Sequence, residues 1–174
     1  MSDMDVELIL NIIKNRRSIR KYQKKSIPDD VIFKILETAI WAPSGLNNQP
    51  WRFVIIKNNE VKKKLAKLTK YSHIIEGADL LIVVLLHKPT MYHQIKDHQS
   101  AGACIQNILL AAHSLGLGAC WLGEILKNEN EVKRIIELPI EEYELCAVIS
   151  LGYPNDNSPR KGRYPLDHFI IKVF

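Results

Sequence analysis

Three polar segments of the 174-residue chain carry the side chains that could do chemistry. Residues 16–20 read Arg-Arg-Ser-Ile-Arg, and their guanidinium groups and hydroxyl suit phosphate oxygens and a polyol. Residues 42–51 read Ala-Pro-Ser-Gly-Leu-Asn-Asn-Gln-Pro-Trp, whose side-chain amides offer the donors and acceptors that the edge of a planar heterocycle requires. Residues 160–163 read Arg-Lys-Gly-Arg and would close on the same anion if the chain termini meet. The three together match one ligand with a phosphate, a polyol and a planar ring.

Each segment also has a plainer interpretation. Residues 14–25 hold seven basic residues and no acid, and runs of charge are usually a solvated surface. The amide segment could be an ordinary turn. The net charge of +5 also suits a non-catalytic module that binds nucleic acid, although residues 14–25 contain one aromatic side chain, Tyr22, on which a base could stack. Charge alone does not separate a small phosphate ligand from a nucleic acid.

Other kinds of catalytic site have little support in the sequence. The motifs of P-loop nucleotide hydrolases, dinucleotide-binding dehydrogenases, zinc proteases and serine hydrolases are all absent. Three histidines, His87, His93 and His98, lack the i, i+3 or i, i+4 spacing of helical metal ligands, so no metal site is predicted. No side chain is therefore nominated as an essential acid, base or nucleophile.

The three cysteines indicate a reducing compartment. Their number is odd, no Cys-x-x-Cys pair occurs, and each cysteine lies among apolar neighbours with no adjacent cation to activate the thiol: Cys104, Cys120 and Cys146. The longest aliphatic run, residues 80–86, is far shorter than the ~20 residues that cross a bilayer. We therefore expect a cytoplasmic protein.

Composition and periodicity predict the elements that position these segments. With 47% hydrophobic and 25% charged residues, the chain is predicted to form one globular domain over residues 1–174. The apolar spacing predicts helices at residues 6–13, 28–42, 60–70, 99–115 and 129–136, and strands at 51–56, 80–86, 118–121 and 144–151. Helices and strands are thus mixed in an α/β or α+β fold, with the amide segment joining a helix to a strand.

Two further stretches predict contacts outside these elements. Residues 99–123 contain no Asp, Glu, Lys or Arg, so the helix at 99–115 belongs in a core or a subunit interface. The β-prone tail at residues 168–174 has no later element to cover it, and we expect it to pair elsewhere.

These residues resemble the FMN-dependent nitroreductase family over nearly the whole chain. The resemblance rests on the order and spacing of five motifs: Arg16-Arg17-Ser18-Ile19-Arg20, Ala42-Pro43-Ser44-x-x-Asn47-x-Gln49-Pro50-Trp51, Leu115-Gly116-Leu117-Gly118-x-x-Trp121-Leu122-Gly123, Leu151-Gly152-Tyr153-Pro154 and Arg160-Lys161-x-Arg163. It implies an α+β, three-layer α/β/α fold with a mixed, mostly antiparallel sheet. It also implies a homodimer with two FMN sites at the interface and a C-terminal segment exchanged onto the partner's sheet.

The resemblance further implies an enzyme that transfers a hydride from NADH or NADPH through flavin N5 to an electrophilic acceptor, such as a nitroaromatic or a quinone, in ping-pong order. A relative with another reaction, dehalogenation or flavin fragmentation, stays open as the alternative. The implied cofactor-binding residues are Arg16, Arg17, Ser18, Arg20, Pro43, Ser44, Gly45, Asn47, Trp121, Leu122, Gly123, Lys161 and Arg163.

The implied roles divide this set in three. Arg16, Ser18, Lys161 and Arg163 would hold the phosphate and the ribityl chain, while Arg20 would face the N1/C2=O side of the ring, where a cation stabilises the reduced flavin. Residues 43–47 would come from the other subunit, and the backbone of residues 121–123 would approach N5 and O4. The chain is short for the family, and residues 88–97 are the evident candidate for a segment covering the substrate.

Overall fold

The computed structural model describes residues 2–155 and 162–174. The helices of these residues are α1 (Asp3–Asn15), α2 (Asp29–Ala39), α3 (Asn59–Ala66), α4 (Ser72–Gly77), α5 (Gln94–Ser114) and α6 (Glu129–Ile135). The strands are β1 (Trp51–Ile56), β2 (Leu80–His87), β3 (Gly118–Leu122) and β4 (Tyr143–Gly152). Short 3₁₀ turns lie at Gly45–Asn47, Lys88–Thr90, Glu124–Asn128 and Leu166–His168. In this part of the chain, no helix is long and apolar enough to cross a bilayer.

The four strands form one sheet in the order β1-β2-β4-β3, and all pairings between them are antiparallel. Beyond β3 lies a parallel bridge between Ser18 and Ala119, where the Ile19 N–H donates to the Ala119 carbonyl over 3.0 Å. The outer side of β1 has no paired strand among the residues described. One sheet edge is therefore covered by the basic segment, and the other is open.

Helices cover both faces of the sheet. Alternate β2 side chains point to opposite sides, so Ile82 packs with α2 and α5 while Val83 packs with α3, α4 and α6. A bulge at Cys146 interrupts this alternation of side chains in β4, because Val84 pairs with Ala147 whereas the next residue, Leu85, pairs with Leu145. The predicted α+β architecture with three layers is confirmed.

Most predicted elements are present, but several of their ends differ: the helices predicted at 6–13 and 28–42, for example, span Asp3–Asn15 and Asp29–Ala39. The helix predicted at 99–115 begins at Gln94. Its first turn was missed because the one apolar side chain there, Ile95, is exposed and the buried one, Asp97, is a carboxylate, so no apolar periodicity marks it. The predicted helix at 60–70 ends at Ala66, and the short helix α4 follows it without having been predicted. The C-terminal residues form no strand within the chain, and Ile171 and Phe174 are fully exposed.

Candidate active site

The basic segment is held between the end of α1 and β3. A Cβ at Gly118 would lie 2.7 Å from the Ile19 side chain, so glycine is needed for the segment to approach β3 this closely. The Tyr22 hydroxyl donates to the Ile19 carbonyl over 2.6 Å and lies 2.7 Å from the buried Ser150 hydroxyl. Residues 16–20 are therefore fixed against the sheet rather than free in solvent.

Arg16 and Arg163 bring two positive charges together. The Nε of Arg16 is buried and has no hydrogen-bond partner among the described residues. Burial and the nearby charge of Arg163 both lower the pKa of the Arg16 guanidinium, which nevertheless stays charged. Buried donors are normally paired, so an unpaired guanidinium N–H beside a second cation indicates the place of an anion. Lys161, the third predicted cation, lies outside the described residues.

The rest of the predicted ring-binding group lies along the same edge. Arg20 is exposed, and its Nη1 lies 3.4 Å from the Ser18 carbonyl, while Arg17 and Ser18 are half-buried. Trp121, near the end of β3, is 43% exposed, and Gly123 is the first residue after the strand. The Leu122 side chain is buried in the core, which leaves its backbone as the part available to a ligand.

Cys120 lies beside these residues, which was not predicted from the sequence. Its thiol is buried, which raises its pKa, while the Arg20 charge and a hydrogen bond with Ser18 act in the opposite direction. With the net pKa raised, the thiol is protonated at neutral pH, and its Sγ lies 3.9 Å from the Trp121 carbonyl oxygen.

The amide segment adopts a strained turn. Leu46, Asn47 and Gln49 have left-handed backbones with φ of 54°, 55° and 45°. Such conformations are rare outside glycine and persist only where the surroundings enforce them, commonly at ligand sites. Ser44 contributes by accepting the Gln49 N–H at its hydroxyl over 3.1 Å. The turn therefore has a fixed shape rather than that of an ordinary loop.

Asp97 ties this turn to the start of α5. Its buried carboxylate accepts the Asn48 side-chain N–H at 2.7 Å and the backbone N–H groups of Tyr92 and His93 at 3.0 and 2.9 Å. Burial alone would raise the pKa of Asp97, but these hydrogen bonds lower it overall. Asn48 belongs to the predicted amide segment, but its hydrogen bond to Asp97 was not predicted, because nothing in the spacing links residue 97 to residue 48. Asp97 thus positions the turn.

The structure brings Arg16 of the first predicted segment close to Arg163 of the third, but it does not bring the second segment to them. Residues 43–47 lead into β1, whereas residues 16–20 lie outside β3, at the opposite edge of the sheet. With strands about 4.8 Å apart, these edge strands are separated by roughly 14 Å. One chain therefore presents two separate halves of the predicted site.

Comparison with known proteins decides the family. The model of the nitroreductase family matches residues 13–72 and 67–153. The chain belongs to the nitroreductase family. A relative from Methanothermobacter thermautotrophicus, provisionally named an NADH dehydrogenase/NAD(P)H nitroreductase, is 39% identical over 174 residues, covering 99% of this chain and 89% of the relative.

Two further comparisons concern the fold and the reactions of similar chains. The crystal structure of a provisionally named nitroreductase from Desulfovibrio desulfuricans, in complex with FMN, is 43% identical and superposes with a TM-score of 0.91 over 95% of this chain and 96% of that one. An iodotyrosine deiodinase from Thermotoga neapolitana is 24% identical over 96% of this chain and 98% of its own length. The nitroreductase fold is therefore confirmed, while reactions differ among related chains.

Proposed function

We propose that this protein is an NAD(P)H-dependent oxidoreductase that uses FMN as its cofactor. The observation that carries the proposal is the buried, unpaired Nε of Arg16 beside Arg163, because the pair requires an anion that no described residue supplies. The FMN complex of the 43% identical nitroreductase supports the choice of this anion, since its terminal phosphate would meet such a pair.

The residues of the basic edge fit the parts of FMN. Arg16 and Arg163, with Lys161, would hold the phosphate, and the Ser18 hydroxyl would bond the ribityl chain. Arg20 would lie at the N1/C2=O side of the ring, where its exposed guanidinium stabilises negative charge. The backbone of residues 121–123 would approach the N5 and O4 side.

When bound, FMN supplies the redox chemistry, taking a hydride from NADH or NADPH and, in a separate ping-pong step, reducing a nitroaromatic, a quinone or a related acceptor. The protein's part is to orient the ring and to stabilise its charge. No described side chain is assigned as an acid or base, and water would supply the protons.

We also propose that the working unit is a homodimer in which the partner supplies residues 43–47. This arrangement would join the two half-sites that lie at opposite sheet edges within one chain. It would also cover the uncharged side of α5, where Gln106 and Asn107 are half-buried in the single chain. An isologous interface along α5 would thus complete two equivalent sites.

The tail that we propose to be exchanged would dock at the open edge of the partner's sheet. Two cavities flank the open β1 strand on opposite faces of the sheet: one of about 300 Å³ is lined by Ile32, Phe33 and Ile55, and one of about 360 Å³ by Val54, Val61 and Ile135. A strand added at this edge would point alternate side chains to both faces. The exposed tail at residues 169–174, which is apolar except for Lys172, is the segment we assign to this edge.

Purification gives the direct test of the function. The protein should be yellow, release FMN on denaturation, and lose its flavin absorbance within the stopped-flow record when NADH or NADPH is added without oxygen. Reoxidation by a nitroaromatic but not by a halogenated phenol would favour nitro reduction over the dehalogenation that the 24% identical relative's name indicates. A colourless protein that does not bind added FMN would contradict the proposal.

A further inference from the structure

A cavity of about 260 Å³ lies between the amide turn and the start of α5. Pro43, Ser44 and Gly45 form one wall, and Tyr92, Lys96 and Ser100 form much of the other. Its volume is slightly below the ~300–1,000 Å³ typical of sites for drug-sized ligands, so it suits a compound with a single ring. The cavity shares its wall with the turn that we assign to flavin binding.

Ser100 shows that the cavity is built for a polar ligand atom. The residue is 5% exposed, and its Oγ has no hydrogen-bond partner among the described residues. A buried hydroxyl is normally satisfied, and an exception requires an explanation. Because Ser100 lines the cavity, a ligand atom within it is the partner that the position indicates.

Tyr92 gives the cavity a flat wall. Its ring lies against Gly45, where a Cβ would be 2.0 Å from the Tyr92 hydroxyl, so any larger residue would displace the ring. Asp97 holds the Tyr92 backbone by accepting its N–H over 3.0 Å. The ring therefore fills the space beside Gly45, and its part that lines the cavity offers an aromatic surface on which a planar ligand ring can stack.

Lys96 gives the cavity its charge. Its ammonium lies 5.4 Å from the centre of the Tyr92 ring, and none of the described residues that line the cavity is acidic. A ligand with a negative group on its ring would therefore meet a cation at the rim without a competing carboxylate.

We infer that this cavity is the acceptor subsite and that it favours single-ring aromatic acceptors with an anionic substituent. Tyr92 stacks on the ring, Lys96 pairs with the anion, and the Ser100 hydroxyl bonds a second polar substituent. The inference rests on the proposed function, because the acceptor must lie beside the flavin.

The test compares 4-nitrobenzoate with its neutral methyl ester. We expect Lys96→Gln to lower kcat/KM for 4-nitrobenzoate about tenfold, the scale of one charged hydrogen bond, and to change the value for the ester less than twofold. Lys88→Gln, which removes an exposed lysine from the same connection, is the matched control and should change neither value. Calorimetric titration of the oxidised holoenzyme with 4-nitrobenzoate, without a hydride donor, should show the same loss of affinity in Lys96→Gln.

Three outcomes would overturn the inference. Equal effects of Lys96→Gln on the two acceptors would show that the anion is not recognised, and unchanged binding in the titration would show the same. If Ser100→Ala releases FMN while acceptor binding is retained, the cavity belongs to the cofactor. If NADH and NADPH do not bleach the flavin of the wild-type protein, the proposed function itself is contradicted. If they do bleach it but one of the three results above is obtained, only the acceptor subsite is contradicted.

Discussion

Arg16 is the residue at which stability and ligand binding oppose each other. In the chain without ligand, its buried Nε is unpaired and the charge of Arg163 is close by, so both effects disfavour the folded state. A bound phosphate would accept a hydrogen bond from the Nε and would offset the repulsion between the two guanidinium groups. The same side chain is thus a cost to the free protein and a main contact in the complex, a trade-off that is common at functional sites.

We therefore predict that Arg16→Ala weakens FMN binding about tenfold to hundredfold, because one or two charged hydrogen bonds are lost. The melting temperature of the apo-protein should stay the same or rise. Lys24→Ala, which removes an exposed charge from the same basic run, should leave the FMN affinity within about twofold. Fluorescence titration of the apo-protein with FMN measures the affinity of each variant. Equal losses of FMN affinity in Arg16→Ala and Lys24→Ala would contradict a specific role of Arg16 and would indicate only a general effect of charge.

Asp97 leads to a prediction about pH. Its folded pKa is lowered below the ordinary value of 3.8, so its contribution to stability is present above about pH 4 and is lost as the pH falls through the folded pKa. We predict that Asp97→Asn reduces the free energy of unfolding by about 1–3 kcal/mol at pH 7, because an amide cannot accept all three N–H groups.

Urea unfolding at several pH values checks the Asp97 prediction. The difference between Asp97→Asn and the wild-type protein should shrink below about pH 3.8. The control, Asp29→Asn, removes an exposed carboxylate that pairs with Lys57 at the surface, and it should change stability by less than about 1 kcal/mol. A constant difference across the pH range would contradict the role of the Asp97 charge.

At the scale of elements, the contact between the basic segment and β3 depends on Gly118. We predict that Gly118→Ala lowers both the melting temperature and the FMN affinity, because the new methyl group would push Ile19 and its neighbours away from the sheet. Gly77→Ala, where a Cβ meets no atom within 4 Å, is the matched control and should lower neither. Differential scanning fluorimetry with and without FMN measures both quantities.

The elements that could be predicted from the sequence are those whose buried residues form a regular apolar pattern. Strand β2 was predicted because residues 80–86 are continuously apolar, and the structure buries them on both faces. Helix α4 was missed because it is only six residues long, and its two buried isoleucines are adjacent in sequence and show no helical period. The first turn of α5 was missed because hydrogen bonds to Asp97, rather than an apolar stripe, hold it in place. From the sequence, residues 160–163 could be predicted to bind the same anion as residues 16–20 only if the chain termini meet. Whether Arg16 and Arg163 lie close together depends on the fold, because they are distant in sequence.

At the scale of the whole molecule, substitutions in the exposed tail distinguish a monomer from a dimer with exchanged tails. Ile171 and Lys172 are both exposed in the single chain, so replacing either would have little effect on a monomer. In the exchanged dimer, we predict that Ile171→Ser loses the burial of an isoleucine, about 2 kcal/mol, which corresponds to a fall of roughly 4–8 °C in Tm. The control Lys172→Ser should shift Tm by less than about 1 °C, and equal small shifts in both would contradict docking of the tail.

The central claim, that each FMN site combines the basic segment of one chain with the amide turn of its partner, can be tested by complementation. Arg16→Ala disables the basic half, and Asn47→Gly removes the amide while tolerating the left-handed backbone at that position. The two variants are expressed together with different tags, and the heterodimer is isolated and titrated with FMN. If the site is shared, neither homodimer has a tight site, whereas the heterodimer regains one intact site, about one FMN per two chains. A correctly folded heterodimer without any tight FMN site would contradict the claim, because it would show that both halves must come from the same chain.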